Sequence, residues 1–165
     1  MDQRIRAAII TLSDKGSKGE RQDESGAIIR EMLGALPAEI VQYAILPDEK
    51  DLIVDALARL ADSGGIDLVL TTGGTGVAPR DVTPEATRAV IDRELPGMAE
   101  AMRMESLKKT PNAMISRAVA GIRCRTLIIN LPGSPKAVRE NLAVVLPALG
   151  HAVAKIKGDP SDCAQ

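Results

Sequence analysis

The sequence predicts an α/β domain: one doubly wound, mainly parallel sheet with helices on both faces and a small β-hairpin. Three observations carry this. Short apolar runs such as Ile5 to Leu12 and Leu68 to Thr71 recur along the chain and read as strands buried on both sides. Segments with apolar residues at helical spacing alternate with them, as crossover helices do. Polar or glycine-rich corners follow the strands, where such sheets place ligands. The length of 165 residues suits one domain, assigned to residues 1–158, with 159–165 as a flexible tail.

Taken in order, Ile5 to Leu12 is the first strand, and Ser13 to Glu24 its polar loop. Ser25 to Leu36 carries Ile28, Ile29, Met32, Leu33 and Leu36 on one helical face. Ile40 to Leu46 is the second strand, closed by Pro47. Asp48 is placed to cap a helix with Leu52, Ile53, Ala56, Leu57 and Leu60 on one face, stopped by Gly64-Gly65. After the third strand, Thr83 is a natural N-cap, with Pro84 at the first helical position and Glu85 in the first turn. That helix is expected to reach about Glu94, and a second runs from about Met98 to Leu107. Val119 to Arg123 and Thr126 to Leu131 are two further strands. Pro135 to about Lys157 is the last helix, bent at Pro147.

Composition removes several functions. Tyr43 is the only aromatic residue, so Val, Ile, Leu, Ala and Met must fill the core and no platform stacks single-stranded bases. A net charge of −1 argues against a phosphate-backbone binder. Nucleic acid is not an expected partner. Cys124 and Cys163 have neither disulfide-framework nor zinc spacing; Cys124 is expected to be a buried thiol and Cys163 an incidental tail thiol. No apolar run is long enough for a membrane span or signal segment, so a cytoplasmic protein is expected. His151 is the sole histidine and falls in the last helix, which disfavours Ser-His-Asp and Cys-His mechanisms. Met98, Met102 and Met104 read as packing material.

The stretch TTGGTGVAPRDVTPEAT, from Thr71, places Gly73, Gly74 and Gly76 between a buried strand and a helix. Glycine permits positive φ and close backbone approach. Successive exposed N–H groups and a following helix N-terminus then make an anion nest, to which Thr72 and Thr75 add hydroxyls. The loop is not a Walker A loop and lacks GxGxxG spacing. A tight connection with no ligand is the competing reading; its position on the ligand rim beside Arg80-Asp81 favours phosphate. Asp48 and Asp81 sit at corners of the same rim. Mg²⁺ commonly takes one or two carboxylates and completes its shell with water and substrate phosphates. Helix capping competes for Asp48, and a solvated turn for Asp81. Ser106 and Ser116 read locally as helix ends.

Together these residues resemble the molybdopterin adenylyltransferases, the bacterial Mog proteins and the G domains of plant and animal molybdenum-cofactor proteins including gephyrin. SDKGSKGERQDESG from Ser13, LPDE from Leu46, the glycine loop, ESLKKTPNAMISRAVAGIR from Glu105 and NLPGSPKAVRENL from Asn130 carry the resemblance. It implies a homotrimer, transient contact with a molybdate-insertion protein, and adenylylation of molybdopterin by ATP with Mg²⁺ and release of pyrophosphate. It puts Asp48 and Asp81 in the essential acidic positions and at the metal. Thr75 falls on the family's glycine-loop threonine, and Ser106 and Ser116 on serines associated with pterin binding and activity. Gly73, Gly74, Thr75 and Gly76 are expected to hold phosphate, Gly133 and Ser134 to help those serines seat the pterin, and Ser13, Asp14 and Gly19 to bind the nucleotide. Asp23, Ser25 and Gly26 also keep the family pattern. A non-catalytic molybdopterin-binding or scaffold protein and a nucleotide hydrolase of related fold are the alternatives.

Overall fold

A six-stranded sheet with the order β2-β1-β3-β6-β5-β4 organises the molecule, as seen in a computed structural model that describes residues 4–163. The elements in chain order are β1 (Ile5–Leu12), α1 (Asp14–Ser17), α2 (Glu24–Leu33), β2 (Ala38–Leu46), α3 (Lys50–Asp62), β3 (Leu68–Thr72), α4 (Thr83–Val90), β4 (Arg93–Glu94), α5 (Pro96–Leu107), β5 (Ala120–Arg123), β6 (Thr126–Leu131) and α6 (Pro135–Ile156). A 3-10 turn, Pro111–Ile115, lies between α5 and β5. β2, β1, β3 and β6 run parallel, while β5 pairs antiparallel with β6 and β4 with β5.

Side-chain alternation divides the core between the two faces. Ala7, Ile9, Leu68, Leu70, Leu127 and Ile129 meet Ile29, Leu33, Met102, Leu142 and Leu149 from α2, α5 and α6. Ala8, Ile10, Leu12, Val69 and Ile128 meet Ile53, Leu57, Leu60, Ala86 and Val90 from α3 and α4. β3 and β6 are buried throughout, as strands covered on both faces must be. Buried Asn130 ties the second face together: Nδ2 donates to Thr71 Oγ1 (3.0 Å) and Thr87 Oγ1 (2.9 Å), and Oδ1 accepts from the Val119 amide (3.1 Å).

From β1 the chain turns outward to β2, then returns past β1 to β3. That reversal opens a crevice at the carboxyl ends of β1 and β3, the place where open α/β sheets bind ligands. The predicted sheet, its two helical layers and the hairpin are all present.

Several local expectations are corrected. Cys124 is exposed, because it occupies the two-residue turn between β5 and β6 with φ +52°, its amide held by Asp92 Oδ2 (2.7 Å). The helix expected to reach Glu94 stops at Val90: Ile91 turns extended, and the next residues pair with the open edge of β5. Val82, not Thr83, is the N-cap of α4, and Glu49, not Asp48, that of α3, without side-chain capping in either case. Leu52 and Met104 are exposed rather than packed, at 48% and 68%.

Candidate functional site

The glycine loop leaves β3 beneath the end of β1. Gly73 has φ +99°, and a Cβ there would lie 2.3 Å from the Leu12 carbonyl oxygen; Gly74 has φ +67°, and its Cβ would lie 2.4 Å from Thr83 Oγ1 and 3.1 Å from Asp48 Oδ1. Only glycine lets this backbone run so close to its neighbours. Thr83 Oγ1 donates to the Gly73 carbonyl (2.9 Å) and the Thr83 amide to that of Gly74 (3.2 Å), so the first residue of α4 fastens the loop. Gly73 donates its own amide to the Leu131 carbonyl (3.2 Å) and is therefore withdrawn from the expected anion nest. Among the described residues, the amides of Gly74, Thr75 and Gly76 meet no protein acceptor.

Asp48 is half-buried across from this loop. Its Oδ2 accepts the Asp14 amide (3.1 Å), and its own amide donates to Asp14 Oδ1 (3.0 Å). The reciprocal pair joins the corners after β1 and β2, which is why Asp48 does not cap α3. Burial pushes the Asp48 carboxyl above its ordinary range, and the charges of Asp14 and Asp81 add to that. Asp14 goes the opposite way: Arg80 donates Nε and Nη2 to it (2.9 and 2.8 Å) and holds its carboxyl below the usual value. Arg80 also reaches Glu49 (2.9 Å), so it straps the glycine loop to the corners carrying Asp14 and Asp48. Asp81 folds one oxygen back onto the Ala78 amide (2.9 Å).

The opposite wall comes from α2 and α6. Asp23 caps α2 at the Gly26 amide (2.9 Å), accepts from Thr11 Oγ1 (2.7 Å) and is hydrogen-bonded by the Tyr43 hydroxyl. Burial and that bond raise the Tyr43 hydroxyl to about 12. Ser25 donates to the Gly133 carbonyl (2.7 Å). Ser13 and Ser134 accept the amides of Gly16 (2.9 Å) and Ala137 (3.2 Å), which leaves each hydroxyl proton available to a ligand.

These elements enclose a cleft of about 770 Å³ lined by Ser13, Asp14, Asp48, Gly73, Gly74, Asp81, Gly133 and Ser134, together with Lys15, Arg21 and Ser25. A smaller depression of about 370 Å³ adjoins it, sharing Gly74, Asp81, Gly133 and Ser134 and adding Thr75, Gly76 and Ser116. Thus the structure gathers most of the sequence candidates at one crevice. Gly19 and Ser106 line neither space; Ser106 turns its hydroxyl towards Asn141 of α6 (3.4 Å). Sequence reading missed Lys15 and Arg21 as lining residues and Arg80 as a strap. It also missed Arg117, which holds the glycine loop from behind. Partners 31 to 66 residues away in the chain leave no local signal.

His151 is exposed on α6 and, like Cys124 and Cys163, lies outside both spaces. The site therefore offers hydroxyls, amides, carboxylates and cations, and no strong protein nucleophile of the histidine or thiol kind.

Comparison with known proteins agrees with this architecture. The family described as a probable molybdopterin binding domain matches residues 8–151. The molybdopterin adenylyltransferase of Helicobacter pylori strain J99 is 49% identical over 160 residues, covering 95% of this chain and 90% of that protein. The molybdopterin adenylyltransferase of Escherichia coli K12 is 45% identical over 152 residues, 90% of this chain and 77% of that one. The crystal structure of the molybdopterin biosynthesis enzyme MoaB from Thermus thermophilus superposes with a TM-score of 0.89 at 55% identity, over 96% of this chain and 99% of that one. With the match running through both walls of the crevice, the chain belongs to the molybdopterin-binding domain family of molybdenum-cofactor biosynthesis.

Proposed function

We propose that this protein is a molybdopterin adenylyltransferase, joining the AMP moiety of ATP to the terminal phosphate of molybdopterin with Mg²⁺ and releasing pyrophosphate. The observation that carries the reading is the meeting of free loop amides, Asp48 and Asp81 at one crevice mouth. An oxygen of the pterin phosphate attacks the α-phosphorus of ATP. A new P–O bond forms, the α–β bridging bond breaks, and pyrophosphate leaves with the electron pair. Such a displacement depends on alignment and charge neutralisation rather than on a protein nucleophile, which suits this set of residues. The amides of Gly74, Thr75 and Gly76 and the hydroxyls of Ser13 and Ser134 hold phosphate oxygens, and Lys15 and Arg21 offset charge along the polyphosphate. The smaller depression, with Thr75 and Ser116, receives the pterin end.

The residues present fit Mg²⁺. Asp48 and Asp81 share the crevice, and the Asp48 carboxyl is driven upward by burial and by neighbouring negative charge, a strain that a divalent cation relieves. Among the described residues no cluster of three or more metal-binding side chains occurs, in keeping with a cation that draws most of its ligands from water and phosphate. When bound, Mg²⁺ supplies charge neutralisation at the transferring group.

The reading extends to a cytoplasmic homotrimer with a transient hand-over to a molybdate-insertion protein. No described helix is long and apolar enough to cross a membrane, and exposed Met104, Leu107, Met114 and Ile115 offer apolar surface for association, which light scattering measures. The activity test is pyrophosphate release from Mg-ATP with and without molybdopterin. Release that requires the pterin and is suppressed to a small but measurable rate in Asp81→Asn, with pterin binding kept, is expected. Pterin binding without release would instead make the protein a binding module, and cleavage without pterin would make it a nucleotide hydrolase.

A further inference from the structure

Arg117 lines neither space, yet it grips the glycine loop at both ends. Its amide donates to the Thr75 carbonyl (2.8 Å), its Nε to that of Gly76 (2.6 Å) and its Nη2 to that of Asp81 (2.7 Å). Nη1 pairs with Glu85 in the first turn of α4. The positive charge is thus answered by Glu85 and two carbonyl dipoles, and is not held in reserve for a substrate. Between the gripped carbonyls, residues 77–80 are exposed. Across that turn, the Asp81 amide bonds to the Ala78 carbonyl (2.9 Å), the Ala78 amide to Asp81 Oδ2 (2.9 Å), and Arg80 reaches Asp14 and Glu49 from its outer side. The base of the clamp is itself fixed. Arg103 of α5 donates to the Ser116 (3.4 Å) and Ala118 (2.9 Å) carbonyls on either side of Arg117.

We propose that Arg117 is a positioning residue that fixes the Gly76–Asp81 turn, and through it the Asp81 carboxylate, against Asp48. It touches no substrate. Its planar fork reaches three separated acceptors at once, which a lysine's single ammonium cannot do. The role rests on the adenylyltransferase reading, but its structural half does not.

The experiment uses Arg117→Ala and Arg117→Lys in the full chain. Pterin-dependent pyrophosphate release should lose roughly 10- to 100-fold in kcat in both, the scale of a misplacement of about 1 Å. KM for ATP and molybdopterin should stay within roughly 3-fold, because the substrate contacts remain. Guanidinium ion at low-millimolar concentration should restore part of the rate of the alanine variant. In an Asp81→Asn background, Arg117→Ala should cost less than about 2-fold more, as coupling through one residue requires. An unchanged kcat in a folded variant, or the full penalty retained with Asp81→Asn, overturns the proposal. Hydrogen exchange gives a readout without turnover: the Ala78 and Asp81 amides should exchange faster in Arg117→Ala while those of β3 do not. Equal protection there overturns the clamp. If the unmodified chain releases no pyrophosphate with pterin, the adenylyltransferase reading fails, and exchange still decides what Arg117 holds.

Discussion

Replacing Gly73 by alanine tests the close approach on which the crevice is built. The new Cβ would stand 2.3 Å from the Leu12 carbonyl oxygen, a backbone atom that cannot swing aside. Two costs add. Holding a non-glycine residue at φ +99° takes about 1–3 kcal/mol, and shifting packed backbone to relieve the overlap takes about 1–3 kcal/mol more. Their mid-range sum is ~4 kcal/mol. At ~3 °C per kcal/mol for a domain of this size, the melting temperature should fall by ~12 °C. Gly97→Ala is the control, since nothing lies within 4 Å of its added Cβ and its φ is ordinary; it should leave the melt unchanged or slightly raised. Calorimetry or circular dichroism on both variants suffices. A Gly73→Ala shift of less than about 3 °C would refute the idea that β1 and the loop are pressed together as described.

Asp48→Asn should abolish pyrophosphate release while raising the melting temperature at pH 7. Because burial raises the folded-state pKa of Asp48, the stability it contributes is fully present below the unfolded value of about 3.9 and is lost as pH rises through the folded one. The advantage of the variant should therefore shrink on acidification through that window, and a variant less stable at pH 7 contradicts the assignment. Thr75→Val should weaken molybdopterin binding by roughly 10- to 100-fold, the worth of a hydrogen bond to a charged oxygen, with the melt unchanged; calorimetric titration reads it, and unaltered affinity removes Thr75 from the site. Asn130→Ala should cost roughly 2–4 kcal/mol in urea unfolding, because the buried Val119 amide loses its acceptor and the Thr71 and Thr87 hydroxyls their donor. A loss below about 1 kcal/mol would show that the network is not what ties β6 to α4.

Local signals made much of this legible. Apolar runs announced β1, β3 and β6 because both faces are buried, and the glycines of TTGGTG announced a backbone forced into positive φ. The rim followed from the alternation of strands and helices, since every strand-to-helix corner in a parallel sheet opens on one side. What escaped depended on distant partners. Asp48 looked like a cap because Pro-Asp-Glu precedes an apolar face; the Asp14 amide, 34 residues away, takes its carboxylate instead. Cys124 looked buried because it lies between two apolar strands, without the Gly, Asn or Asp that normally marks a tight turn. The helix after Thr83 was overextended because β4 exists only by pairing with β5. Arg80 read as part of a phosphate-facing rim and Arg117 gave no signal of its own. Only the folded chain puts the carboxylates of Asp14 and Glu49 within reach of the first and the loop carbonyls within reach of the second.

In the proposed site the Gly74–Gly76 amides grip phosphate while Asp48 and Asp81 hold a divalent cation. Crystals grown with Mn²⁺ and a non-hydrolysable ATP analogue put this to the most direct test through anomalous scattering. One Mn²⁺ is expected at coordination distance, about 2.1 Å, from an Asp48 or Asp81 oxygen, with phosphate oxygens on the loop amides. A cation bound away from both carboxylates, or a polyphosphate lying outside the crevice between β1 and β3, would contradict it.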